Sequence, residues 1–168
     1  MKIGYNFYKK LLKTYLSILQ DELGDALVSV VLYGSVARDE ATLESDIDLL
    51  IVVREDNKSY YQMLKPILEA QRSLEMTEIF KGFFHNKSYP HLSYLIFSQE
   101  EALKNRNIYL DILEDGIILY DLANFLGEKL KQFKKRLIEL GSKKIILDDG
   151  RWYWDLKPTL KLGEAFEL

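Results

Sequence analysis

The sequence contains no cysteine, so neither a disulfide framework nor a thiolate metal site can be built from it. It also lacks a long apolar run: Leu49 to Val53, five residues, is the longest, whereas a membrane span needs about 20. Basic residues are not in excess. Twenty-three Lys plus Arg stand against 26 Asp plus Glu, a net charge of −3, which argues against a broad phosphate-neutralising surface and against extensive nucleic-acid binding. Any polyanion the chain handles should be small. Met1 to Lys10 does not follow the basic, apolar, small-residue order of a secretory leader, so a cytoplasmic location is expected. There is no internal repeat and no long linker. What is present suffices for a folded core: 168 residues with 48% apolar content suit one domain, expected to span 1–168.

The apolar residues of Tyr5 to Leu23 recur at helical spacing and are followed by Gly24 at a capping position, defining an N-terminal helix over 1–23. Leu27 to Tyr33 and Ile47 to Val53 are short, β-branched and apolar on both faces, as strands buried inside a sheet are. Ser59 and Gln62 form a capping box before a helix from Tyr60 to about Phe84, which Pro66 should kink or split. Leu92 to Phe97 reads as a third strand, Ser98 with Glu101 as a capping box for a helix to about Leu113, and Ile117 to Tyr120 as a fourth strand. Apolar residues from Leu122 to Leu140 mark a last long helix. Lys143 to Leu147 and Arg151 to Leu156 flank Asp148-Asp149-Gly150, a turn that supplies the positive φ a β-hairpin requires. The pattern predicts an α/β (α+β) fold: a small mixed β-sheet flanked by helices, with a core over 24–121 and a C-terminal helix and hairpin extension over 122–168.

Chemistry concentrates between the first two strands. Asp46 and Asp48 are two residues apart at the mouth of a strand, so their side chains share one face, with about 6–7 Å between their Cα atoms. Paired carboxylates repel unless a cation lies between them, and hard oxygen ligands suit Mg²⁺, which binds through one or two carboxylates plus substrate phosphates. Gly34 ends the first strand and lets the backbone approach a phosphate, Ser35 adds a hydroxyl, and the following helical turn offers N–H groups. Arg38 either reaches phosphate or pairs with Asp39 or Glu40.

Gly34-Ser35, Arg38 and Ser45-Asp46-Ile47-Asp48-Leu49 resemble the signature of the DNA polymerase beta nucleotidyltransferase superfamily, in particular its minimal members. The resemblance implies a nucleotidyltransferase fold. It also implies transfer of a nucleoside monophosphate, AMP above all, from ATP or another NTP to a hydroxyl. Asp46 and Asp48 would be the catalytic pair and would bind Mg²⁺, with Mn²⁺ as an alternative; Gly34, Ser35, Arg38 and Ser45 would form the nucleotide-binding set. Catalytic members usually carry a third carboxylate on a later strand, but His91 to Phe97 contains no acid. Either one of Glu100, Asp115 and Asp121 substitutes for it, or the chain is an antitoxin-like binding partner with weak or no turnover; Glu100 and Glu101 also fit the first turn of a helix.

Minimal nucleotidyltransferases similar to this one act as antitoxins that bind a helical HEPN-type ribonuclease and in some cases adenylylate it. This chain has no Arg-x4-His ribonuclease signature, so such a partner would be a separate polypeptide. An aminoglycoside-type small-molecule acceptor would need room that 168 residues barely leave. His85 and His91 lack the i, i+4 spacing of helical ligands and read as structural or surface residues; Lys129, Lys131, Lys134, Lys135 and Arg136 read as a solvated helix face, and Trp152 and Trp154 as cross-strand packing.

Overall fold

The computed structural model describes residues 2–54, 59–85, 89–149, 151–161 and 163–168. Helix α1 (Tyr5–Leu23) leads through a short 3₁₀ turn into β1 (Leu27–Tyr33), one helical turn α2 (Gly34–Ala37) and β2 (Ile47–Val53). Then follow α3 (Tyr60–Glu75), α4 (Glu78–His85), β3 (Leu92–Ser98), α5 (Gln99–Leu103), α6 (Ile108–Asp115), β4 (Ile117–Asp121), α7 (Phe125–Leu140), β5 (Lys143–Ile146) and β6 (Trp152–Asp155). The main sheet has the order β3-β2-β1-β4, with β1 antiparallel to β2 and β4, and β2 parallel to β3. It is the mixed sheet flanked by helices that the sequence pattern predicts.

Period-two alternation along β2 explains the layering. Ile47, Leu49, Ile51 and Val53 enter one core with Tyr8, Leu12, Tyr15 and Leu19 of α1 and Ile67 and Leu74 of α3. Leu50 and Val52 enter the other with Tyr109 of α6 and Phe133 and Leu137 of α7. β2 is thus buried on both faces, while Asp46 and Asp48 fall on the α6–α7 side of the sheet.

Two expected helices break elsewhere than predicted. Pro66 lies inside an uninterrupted α3, because Met63, Ile67, Ala70 and Leu74 bury one continuous stripe that outweighs the lost hydrogen bond. The chain breaks instead after Glu75, where the Thr77 hydroxyl donates to the Leu74 carbonyl (2.7 Å) and accepts from the Phe80 N–H (3.2 Å). The helix expected from Ser98 to Leu113 divides into α5 and α6, since Asn105 leaves the helical path to accept from Lys129 Nζ at 2.6 Å. Lys129 corrects the reading of a wholly solvated basic face: it is 7% exposed, and burial lowers its pKa. The hairpin pairs Ile146 with Trp152 and Lys144 with Trp154; Gly150, in its expected turn, lies outside the described residues.

Tyr109 is buried, donates to the Ala102 carbonyl at 2.7 Å, and has its pKa pushed up by burial to about 12. The folded state therefore keeps a proton that the unfolded chain loses near pH 10. The associated stability is fully present below that pH and disappears as pH rises toward 12. Tyr109 should account for about 2 kcal/mol of the fall in stability over this window, added to the share of the other tyrosines that burial shifts the same way, Tyr15, Tyr33 and Tyr94. Tyr109→Phe should remove its part of the decline in urea midpoint.

Candidate active site

β1 and β2 end side by side, with Tyr33 opposite Asp48 in the ladder. Gly34 follows at φ +75°, a left-handed conformation that an L side chain rarely adopts, and a Cβ there would collide with the Asp48 carboxylate. Glycine is required at this point by the backbone and by the aspartate together. The α2 turn carries Ser35, and Val36 is fully buried beneath it. The loop back to β2 is closed by Ser45, whose hydroxyl accepts from the Thr42 N–H at 2.9 Å. The structure thus brings Gly34 against Asp48 and places Ser45 in the turn that launches the acidic pair.

Asp48 is half-buried, and its pKa is raised first by desolvation and also by the Asp46 charge; a hydrogen bond from Ser93 and the charge of Arg38 act in the opposite direction. A partly desolvated carboxylate beside a second one is a place where a cation is favoured. Among the described residues no group of three or more His, Cys, Asp or Glu side chains converges on a metal position. Two carboxylates are a donor set of the kind a divalent ion would take, with phosphate and water completing its shell.

Three further residues adjoin the predicted set: His91, read from the sequence as a structural or surface residue, and Ser93 and Asp111, which the sequence does not single out. His91 Nδ1 lies 3.1 Å from Asp46 Oδ1, and the His91 carbonyl accepts from the Ile47 N–H at 2.8 Å, so this histidine belongs to the site. The side chain of His85 lies outside the described residues. Ser93 is the register partner of Asp48 on the parallel strand β3. The same two-residue spacing that singles out Asp46 and Asp48 applies to His91 and Ser93, flanking the buried Leu92, and was the signal available. The third neighbour is Asp111 of α6. Burial raises its pKa, and its charge helps to raise that of Tyr33, which is itself affected first by burial and then by Asp48. Nothing in the sequence marks this proximity, which depends on how α6 packs on the sheet.

The substitutes for a third carboxylate are otherwise engaged. Glu100 pairs with Lys104 at 3.5 Å, Glu101 closes its capping box on the Ser98 N–H at 3.0 Å, and Asp115 faces Arg38 at 4.0 Å. Arg38 also donates to Glu40 Oε2 at 3.1 Å, one of the pairings foreseen for it. Asp121 accepts from the Ser29 hydroxyl (2.5 Å) and from the N–H groups of Leu126 (3.0 Å) and Gly127 (2.9 Å), tying β1 to the start of α7. Asp121→Ala should cost about 2–3 kcal/mol, because it removes a helix cap and strands the buried Ser29 hydroxyl. A urea titration would show this, and an unchanged midpoint would contradict it.

The model of the nucleotidyltransferase domain family matches residues 12–153. The chain belongs to this family. This nucleotidyltransferase is 26% identical over 142 residues, 84% of its length and 89% of the relative's, to a protein of Methanocaldococcus jannaschii described as a candidate protein adenylyltransferase. A second protein of that organism with the same description is 37% identical over 81 residues, 46% of this chain and 79% of the relative. Among solved structures, a toxin-antitoxin with AMP-PNP superposes with a TM-score of 0.46 at 12% identity, covering 77% of this chain and 91% of the other. No helix among the described residues is long and apolar enough to cross a membrane.

Proposed function

We propose that this nucleotidyltransferase moves AMP from ATP to a hydroxyl of a protein acceptor, with Asp46 and Asp48 as its metal-binding catalytic pair. The observation that carries the reading is that the Asp48 carboxylate occupies the space a side chain at Gly34 would need, which joins the glycine-serine turn to the acidic pair at one point. The first N–H groups of a helical turn have no partner within it, so Gly34 and Ser35 are suited to hold the outer phosphates, with Arg38 supplying positive charge nearby. Ser45 keeps the loop compact behind Asp46. Bound Mg²⁺ would supply charge neutralisation at the α-phosphate and lower the pKa of a coordinated hydroxyl. The chain's own residues hold the triphosphate still and keep both aspartates aligned for an in-line displacement.

Adenylyl transfer to protein is supported by the two archaeal relatives, both described as candidate protein adenylyltransferases. The acids of the site are open on one side: the Asp46 side chain is 54% exposed and that of His91 63%, enough for a macromolecular hydroxyl to reach them. A HEPN-type ribonuclease, the partner implied by the sequence resemblance, is the acceptor to test first. Incubation of both proteins with ATP labelled at the α-phosphate should place label on the partner's hydroxyl side chains. Label that stays in free nucleotide with every candidate protein would refute the acceptor assignment.

A further inference from the structure

Arg38 does not stand alone beside the acidic pair. It follows α2 directly, bonds Glu40, and lies 4.0 Å from Asp115 at the C-terminal end of α6. Its charge acts on both Asp48 and Asp111. The neighbouring residue Glu114 forms an ion pair with Lys144 of β5, and that ammonium lies 4.3 Å above the Trp152 ring of β6. Lys144 and Glu114 are each about two-thirds buried, with side-chain exposures of 27% and 32%. Consecutive residues of one helix end thus hold, on one side, the only guanidinium in the proposed nucleotide-binding set and, on the other, the C-terminal hairpin.

An arginine next to a desolvated carboxylate is pulled toward it, and a full Arg38–Asp48 pair would compete with any cation for that aspartate. Glu40, bonded to Nε at 3.1 Å, and Asp115, 4.0 Å from Nη1, hold Arg38 on other carboxylates and prevent this, Asp115 alone doing so from the side of α6. We propose that Asp115 is a positioning residue that keeps Arg38 off Asp48 and available to phosphate, and that the Glu114–Lys144 pair fixes Asp115 by clamping α6 to the hairpin. The hairpin then bears on the nucleotide site through α6. This rests on the phosphate role given to Arg38 above.

The test is calorimetric titration of the full chain with ATP and Mg²⁺, paired with urea unfolding of every variant. Asp115→Asn should weaken binding about three- to fivefold, the scale of a partly exposed ion pair, and should raise the Mg²⁺ concentration needed for half-saturation. Asp115→Glu should recover most of the loss. Lys144→Met should give a smaller loss in the same direction, about twofold, with the fold intact. In an Arg38→Ala background, Asp115→Asn should have no further effect. An equal loss in that background would overturn the proposal, because Asp115 would then act without Arg38. So would Asp115→Asn binding as tightly as the parent at unchanged Mg²⁺ demand. Asp48→Asn separates the two levels of argument: if it leaves binding intact, the site itself is misassigned, whereas its loss alongside a silent Asp115→Asn overturns only the positioning role.

Discussion

Asp48→Asn should reduce adenylyl transfer about 10²–10³-fold while leaving the protein folded and no less stable than the parent. The kinetic loss follows from removing one of two carboxylates that would hold a divalent ion on the triphosphate, a contribution of several kcal/mol to the transition state. The stability expectation has a separate cause. The Asp48 carboxyl has a raised pKa because burial, then the Asp46 charge, disfavours its ionised form, so at neutral pH the folded state carries a cost that the neutral amide does not. A variant that is inactive and at least as stable as the parent is unusual for a residue this close to the core. Asp46→Asn should lose activity on a similar scale. Transfer assays with labelled ATP and urea titrations on the same preparations check both, and full turnover in either variant would end the mechanism.

Gly34→Ala is expected to have the second large effect, and here stability and function should fall together. The methyl group must occupy a φ of +75° and would collide with the Asp48 carboxylate. The backbone strain costs about 1–2 kcal/mol, and moving the carboxylate should weaken binding of ATP with Mg²⁺ by at least about tenfold. Combining Gly34→Ala with Asp48→Ala should return the part of the stability loss due to the collision and leave the part due to φ. If the single Gly34→Ala variant is as stable and binds as well as the parent, the close approach of these two residues is not a requirement of the site.

The strands and the acidic pair are legible in the sequence because both obey strict local rules. Leu27–Tyr33 and Ile47–Val53 are apolar on both faces since both faces are covered, and Asp46 and Asp48 interrupt that pattern at one end. Helix boundaries are less legible. Pro66 is a strong local signal that the buried stripe of α3 overrides, and the break between α5 and α6 depends on Lys129, more than 20 residues away in the chain. His91 carries the same spacing signal as the aspartates but is easily dismissed as a loop residue until the parallel pairing of β2 with β3 is known. The contact of Arg38 with Asp115 has no local signature, because it is set only when α6 packs beside α2.

Burial of β2 in both hydrophobic clusters has a further consequence for motion. The amides of this strand can be released to solvent only when both cores open, so their exchange with deuterium should proceed through whole-molecule unfolding and report its free energy. The acids at its edge are therefore mounted on a segment that opens only with the whole molecule. Rearrangements that admit and release reactants must then come from the surrounding helices and from the hairpin.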